Sequence, residues 1–128
     1  MAKTRAEISR KYHVSKRGRA NSLISNARNR AKTRGLEYEL EISWVYEKLE
    51  EGYCEVTGLP FTFQCKEEYN KTNNAHPYSP TLDRTDNKKG YTKENTKVVV
   101  AVYNYAKMHW GHEHVVRLAQ AIMEKENG

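Results

Sequence analysis

The chain has 128 residues and a mass of 14.9 kDa, with a mean hydropathy of -0.94, 30% charged residues and a net charge of +6. That length fits one small domain with a modest core, and no apolar run is long enough to span a bilayer. No signal-peptide pattern opens the sequence, and two cysteines, Cys54 and Cys65, are too few for a disulfide scaffold; a soluble cytoplasmic protein with reduced thiols is expected.

The charge is unevenly placed. Residues 1–34 hold eleven Lys and Arg against one acid, Glu7, a local +10 that leaves −4 for the remainder. An excess of that size repels itself unless a polyanion neutralises it, and phosphate backbones are the usual partner. A solvated basic tail without a ligand is the bland alternative.

From Met1 to about Arg17 apolar periodicity is weak, which predicts a flexible or weakly helical basic arm that orders on a partner. Ala20, Leu23, Ile24, Ala27 and Ala31 then share one helical face, with Gly35 as the helix stop. Arg28, Arg30, Lys32 and Arg34 surround that stripe, and with Arg17 and Arg19 they are the candidate contacts to nucleic-acid phosphates, which position a protein without reading sequence. The division read from the chain is a basic binding arm with its helix over residues 1–34 and a second unit over 35–128.

"LEYELEI", Leu36 to Ile42, alternates apolar and acidic residues and predicts a half-buried strand. Ser43 is expected to cap a short helix carrying Trp44, Val45 and Leu49 that ends near Gly52. "YCEVTGLPFTF" reads as two short β-prone pieces about a turn at Thr57-Gly58 and Pro60, and "KEEYNKTNNAHPYSP" as an exposed polar loop. A strand over Thr81 to Arg84, a turn at Gly90, a strand around Thr96 to Val100 and a helix from about Ala101 follow. Val115, Leu118, Ala119, Ile122 and Met123 recur at helical spacing beyond Gly111, so a last amphipathic helix closes the chain.

A ββα unit that projects an Asp from its first strand and an Asn from its helix places two oxygen ligands around one hard cation, and magnesium suits such a site because it keeps waters. Here Asn95 lies twelve residues after Asp83, Asn104 nine after Asn95, and Lys107 three after that. With "LDR", "ENTKVVV" and "YNYAK", this ladder resembles the HNH branch of the His-Me finger nucleases, including the HNH domain of RNA-guided CRISPR nucleases. The match covers about residues 53 to 107, and "CEVTGLPF" resembles the lead-in of HNH proteins from phages and mobile elements.

The resemblance implies an α+β fold: a small single domain with a ββα-metal core, flanking helices and a basic N-terminal helical arm. It implies that Asp83 and Asn104 bind Mg2+ or Mn2+, that Asn95 pins the loop between the strands, and that Lys107 faces the scissile phosphate or the helix end. The implied activity is hydrolytic nicking or cleavage of DNA, most simply double-stranded, in a host cytoplasm if the protein is phage-encoded. A single ββα site cuts one strand per event, so double-strand cleavage needs a homodimer or a second binding event.

Two departures from the family pattern matter. The family's general base is the His after the Asp, and Arg84 stands there; arginine stays protonated, although it can grip a phosphate or stabilise transition-state charge. The base is therefore sought among other histidines: His76, whose loop adjoins the Asp83 strand, is preferred over His109, His112 and His114. The family's structural zinc, held by two Cys-x-x-Cys pairs, is not expected, because the four positions read Cys54, Thr57, Val100 and Tyr103. Apolar packing of Cys54, Val100 and Tyr103 should replace it. Tyr12, Tyr69, Tyr78 and Tyr91 either stack on bases or cover the core. The competing function is a nucleic-acid-binding protein on this scaffold that lost its chemistry when His became Arg. A basic RNA- or ribosome-associated structural protein would leave the Asp-Asn-Asn-Lys ladder unexplained.

Overall fold

In the computed structural model, residues 4–5, 15–63 and 76–128 are described; most of the basic arm, Tyr12, Cys65 and Tyr69 lie outside them. Helix α1 spans Lys16–Arg34 and α2 Ile42–Glu51; strands β1 (Pro80–Arg84) and β2 (Thr96–Val100) precede α3 (Ala101–Lys107) and α4 (His112–Asn127). These are four helices and one two-stranded antiparallel sheet among the described residues, an α+β fold.

Each α1 terminus has a local cause. Ser15 accepts the Gly18 N–H at 3.0 Å, a side-chain N-cap. At the other end Gly35 takes φ 66°, and the Leu36 N–H reaches back to the Ala31 carbonyl at 2.8 Å, closing the helix through a left-handed glycine. Between them Ala20, Ile24, Ala27 and Ala31 form a buried stripe. Helix α1 packs on α2 and β1, so its apolar face belongs to the same core as the rest of the molecule.

That core joins Ile24 to Leu40, Val45, Leu49, Phe61, Leu82 and Tyr103. Val98, Val99 and Val100 are all fully buried: α2 and α3 both pack on β2, so the apolar run lacks the alternation of a one-faced strand. The strands pair Leu82 with Val98 and Asp83 with Lys97. At the Val98 backbone Glu55 supplies further bonds, its N–H donating to the Val98 carbonyl at 3.1 Å and its carboxylate accepting the Val98 N–H at 2.7 Å. Satisfying backbone groups in this way blunts a sheet that would otherwise offer a pairing edge.

Two local expectations change. Residues 36–41 keep the alternating burial of a strand, but pairing is limited to one bridge, Tyr38 with Tyr91; the chain that meets it contributes a single residue before turning into the β2 approach. Helix α2 starts one residue before Ser43, with Glu41 as N-cap: its carbonyl accepts the Val45 N–H, and no side chain caps the end. Its end at Gly52, φ 86°, is as expected. Residues 53–60 fold as a tight hairpin, with Cys54 N–H donating to Leu59 and Tyr53 bridging Pro60. Cys54, Val100 and Tyr103 are packed together in the core. Burial raises the Cys54 thiol pKa, but bonds from the Thr57 side chain and the Val100, Thr57 and Val56 backbone outweigh it and hold the thiol below its ordinary value.

Candidate active site

The first strand carries Asp83, the helix after the second carries Asn104 and Lys107, and the hairpin brings all three together. Asp83 is 6% exposed and Lys107 4%. The Lys107 Nζ donates to both Asp83 carboxylate oxygens, at 3.0 and 2.9 Å, and to the Arg84 carbonyl at 2.9 Å. The sequence put Lys107 at a phosphate or the helix end; the structure puts its ammonium on Asp83, because a carboxylate this buried requires a cationic partner. Asn104 donates its side-chain N–H groups to Thr81 Oγ1 at 3.2 Å and to the Leu82 carbonyl at 3.4 Å. Anchored to β1 in this way, the amide has its carbonyl oxygen to offer a ligand.

Asn95 organises the loop between the strands. Its Oδ1 accepts the Asp86 N–H at 2.9 Å, and its Nδ2 donates to the carbonyls of Asp86 and Gly90 at 3.1 and 2.9 Å. Arg84 works on the same loop: its guanidinium donates to the Asn87 carbonyl at 2.6 Å and the Lys89 carbonyl at 2.9 Å, and lies 5.3 Å from the Tyr91 ring centroid. The residue in the family's histidine position therefore helps hold the loop in shape. Asn95→Ala removes three side-chain bonds from a residue only 8% exposed. It should lower stability by about 2–3 kcal/mol, measured by urea denaturation, with Asn95→Asp no milder, because a carboxylate keeps only the bond from the Asp86 N–H and sets its charge against the Asp86 and Gly90 carbonyls.

A cleft of about 610 Å3 opens beside these residues. Asp83, Arg84 and Asn104 line it together with Arg30 and Arg34 of α1, and Met108 and His109 contribute from the turn after α3. Of the six basic residues expected to meet nucleic acid, Arg30 and Arg34 thus share the cleft with the ββα unit. Arg17 and Arg28 lie over the Tyr46 and Tyr38 rings, both at 5.4 Å, Lys32 is exposed and Arg19 half-buried.

The histidines divide clearly. His76, preferred from sequence, does not line the cleft; its ring packs on Tyr78 and its Nδ1 accepts the Tyr78 N–H at 3.1 Å. His112 Nδ1 lies 2.9 Å from the Tyr103 hydroxyl. Burial, with the negative charges of Asp83 and Cys54, raises the Tyr103 pKa, so the phenol stays protonated. His109 lines the cleft. Sequence reasoning ranked it behind His76, whose loop adjoins the Asp83 strand along the chain.

No family model matches the chain, and no curated protein is significantly similar to it. Among solved structures it is similar to the rare-cutting HNH restriction endonuclease PacI, with a TM-score of 0.58 at 17% sequence identity, covering 83% of this chain and 78% of that one. The chain therefore has an HNH endonuclease fold, as its sequence ladder implied.

Proposed function

We propose that this chain is a metal-dependent endonuclease that nicks or cleaves DNA by hydrolysing a phosphodiester bond, with the cleft as its active site. One observation carries the reading: Asp83, Asn104 and three arginines, Arg30, Arg34 and Arg84, line one cleft in a molecule with an HNH endonuclease fold. Three cations suit a polyanionic backbone, and planar guanidinium forks suit phosphate oxygens.

Asp83 and Asn104 would hold Mg2+ or Mn2+. Two hard oxygen donors fit an ion that keeps most of its waters, and each Asp83 oxygen retains a lone pair beyond its bond to Lys107. Such an ion, when bound, supplies Lewis-acid stabilisation of charge on the phosphoryl oxygens. The protein does the rest by position. Lys107 orients the Asp83 carboxylate, Asn95 and Arg84 keep the strand-joining loop fixed, and Arg30 and Arg34 clamp the substrate phosphates against the ββα unit. Lys32 and the arginines farther along α1 extend the contact along the duplex. Activity on both strands would come from a homodimer or from two successive events, and the setting would be a cytoplasm, the host's if the chain is phage-encoded.

The second reading, a binding protein that has lost its chemistry, draws on Arg84, which cannot accept a proton. Incubation with supercoiled plasmid separates the two. The endonuclease reading expects nicking with Mg2+ or Mn2+, none with EDTA, and a rate for Asn104→Ala lower by about 100-fold or more. A wild-type protein that retards the plasmid in a gel yet leaves it intact with every metal is a binding protein.

A further inference from the structure

We propose that His109 is the proton acceptor of this site, an inference that rests on the endonuclease reading and fills the role Arg84 leaves vacant. Among the described histidines His76 is committed to Tyr78, His112 lies against Tyr103 and His114 stands exposed on α4, whereas His109 lines the cleft with Asp83 and Asn104.

The backbone supplies an independent observation. Helix α3 ends at Lys107, and Met108 takes φ 42° and ψ −125°, the one non-glycine residue with positive φ among those described. A side chain at positive φ is strained, and such strain persists where the surrounding structure holds it in place. Here the Trp110 and Gly111 N–H groups both return to the Lys107 carbonyl, at 3.0 and 3.3 Å, fixing the turn. Its result is that the chain, instead of continuing away along the helix axis, sets His109 on the cleft. The imidazole then packs on Trp110, with ring centroids 5.7 Å apart.

The chemistry is balanced as a hydrolysis. Neutral His109 takes one proton from a water as the water oxygen bonds to phosphorus; the phosphorus–ester oxygen bond breaks, and the departing alkoxide takes a proton from solvent. The products are a phosphomonoester and an alcohol, and the imidazolium returns its proton to solvent. The charged and titratable groups sharing the cleft with His109 are Arg30 and Arg34 from α1, Asp83 and Arg84 from β1, and Tyr91.

The test is single-turnover nicking of plasmid by wild type, His109→Ala and His109→Gln across pH 5 to 9, with Mg2+ and with and without added imidazole. His109 is exposed, so both variants should fold, which circular dichroism verifies. The wild-type rate should rise with pH through the range where imidazole deprotonates and then level. Both variants should be slower by about 100-fold or more, lose that inflection, bind the plasmid as wild type does, and in the alanine case recover partly with free imidazole. A variant with the wild-type rate, or a slow one that keeps the wild-type pH profile and ignores imidazole, overturns the assignment while the endonuclease reading stands. A wild type that cuts under no condition overturns both.

Discussion

Gly90→Ala should lower stability by about 3–5 kcal/mol and largely unfold the loop that carries the site. The reason is space and not conformation. A Cβ at Gly90 would lie against the Glu37 carbonyl oxygen and within 2.6 and 2.7 Å of the Glu37 backbone nitrogen and carbonyl carbon. Backbone cannot swing aside as a side-chain tip can, so residues 36–41 must move off the loop. That movement breaks the bonds that hold the two segments together, Tyr91 N–H to Glu37 at 2.8 Å and Glu39 N–H to Tyr91 at 2.8 Å, and displaces the Gly90 carbonyl that Asn95 reads. Urea denaturation of the variant measures the loss; a midpoint within error of wild type would mean that this contact can open freely.

The second large effect falls on Lys107. Lys107→Ala leaves the Asp83 carboxylate buried without its counter-charge, and removing one partner of a buried pair costs about 3–5 kcal/mol. For a domain of this size that lowers Tm by roughly 10–20 °C. A double-mutant cycle with Asp83→Asn isolates the pair: the neutral amide needs no cation, so the two losses should fall well short of adding. Additive losses would show that Lys107 stabilises the protein by packing alone. The same pairing shapes any test of the site, because an Asp83 variant that loses activity has also stranded a buried ammonium. Asn104, whose removal strands no charge, is the cleaner probe.

Much of this arrangement is legible in the sequence because it follows from local rules. Left-handed glycines at 35 and 52 end two helices, the apolar run at Val98 to Val100 marks a buried strand, and both strands of the hairpin lie where their punctuation puts them. The spacing of Asp83, Asn95, Asn104 and Lys107 reflects the geometry of a ββα unit, and the fold it implied is the one this chain shares with PacI at 17% identity. What was hidden depends on tertiary contact. Nothing in "YNYAK" says that the lysine turns back onto the first strand, and nothing around Gly90 shows that a distant backbone lies against it. The expected strand over Leu36 to Ile42 shrank to one bridge because periodicity reports burial, while pairing needs a partner of equal length. His76 is closer to Asp83 along the chain than His109 is, yet it is His109, after the strained turn at Met108, that lines the cleft.

The joint construction of the cleft also gives the basic helix a second task. A solvated arm would supply affinity only, raising the concentration of DNA near the site through counterion release. Arg30 and Arg34 instead line the space that Asp83 and Asn104 line, which in the proposed endonuclease sets them beside the reacting phosphate, while Arg17 and Arg28, each over a tyrosine ring, lie farther along the helix. In the proposed endonuclease, α1 and the ββα unit form one site.

Single-turnover cleavage rate against protein concentration, for wild type and an Arg30→Ala/Arg34→Ala variant with Mg2+, tests that claim most directly. Cations acting on the reacting phosphate should lower the plateau rate at saturating protein by about 10-fold or more. A variant that reaches the wild-type plateau at higher protein concentration, its half-saturation alone shifted, would contradict the account and return α1 to the role of a tether.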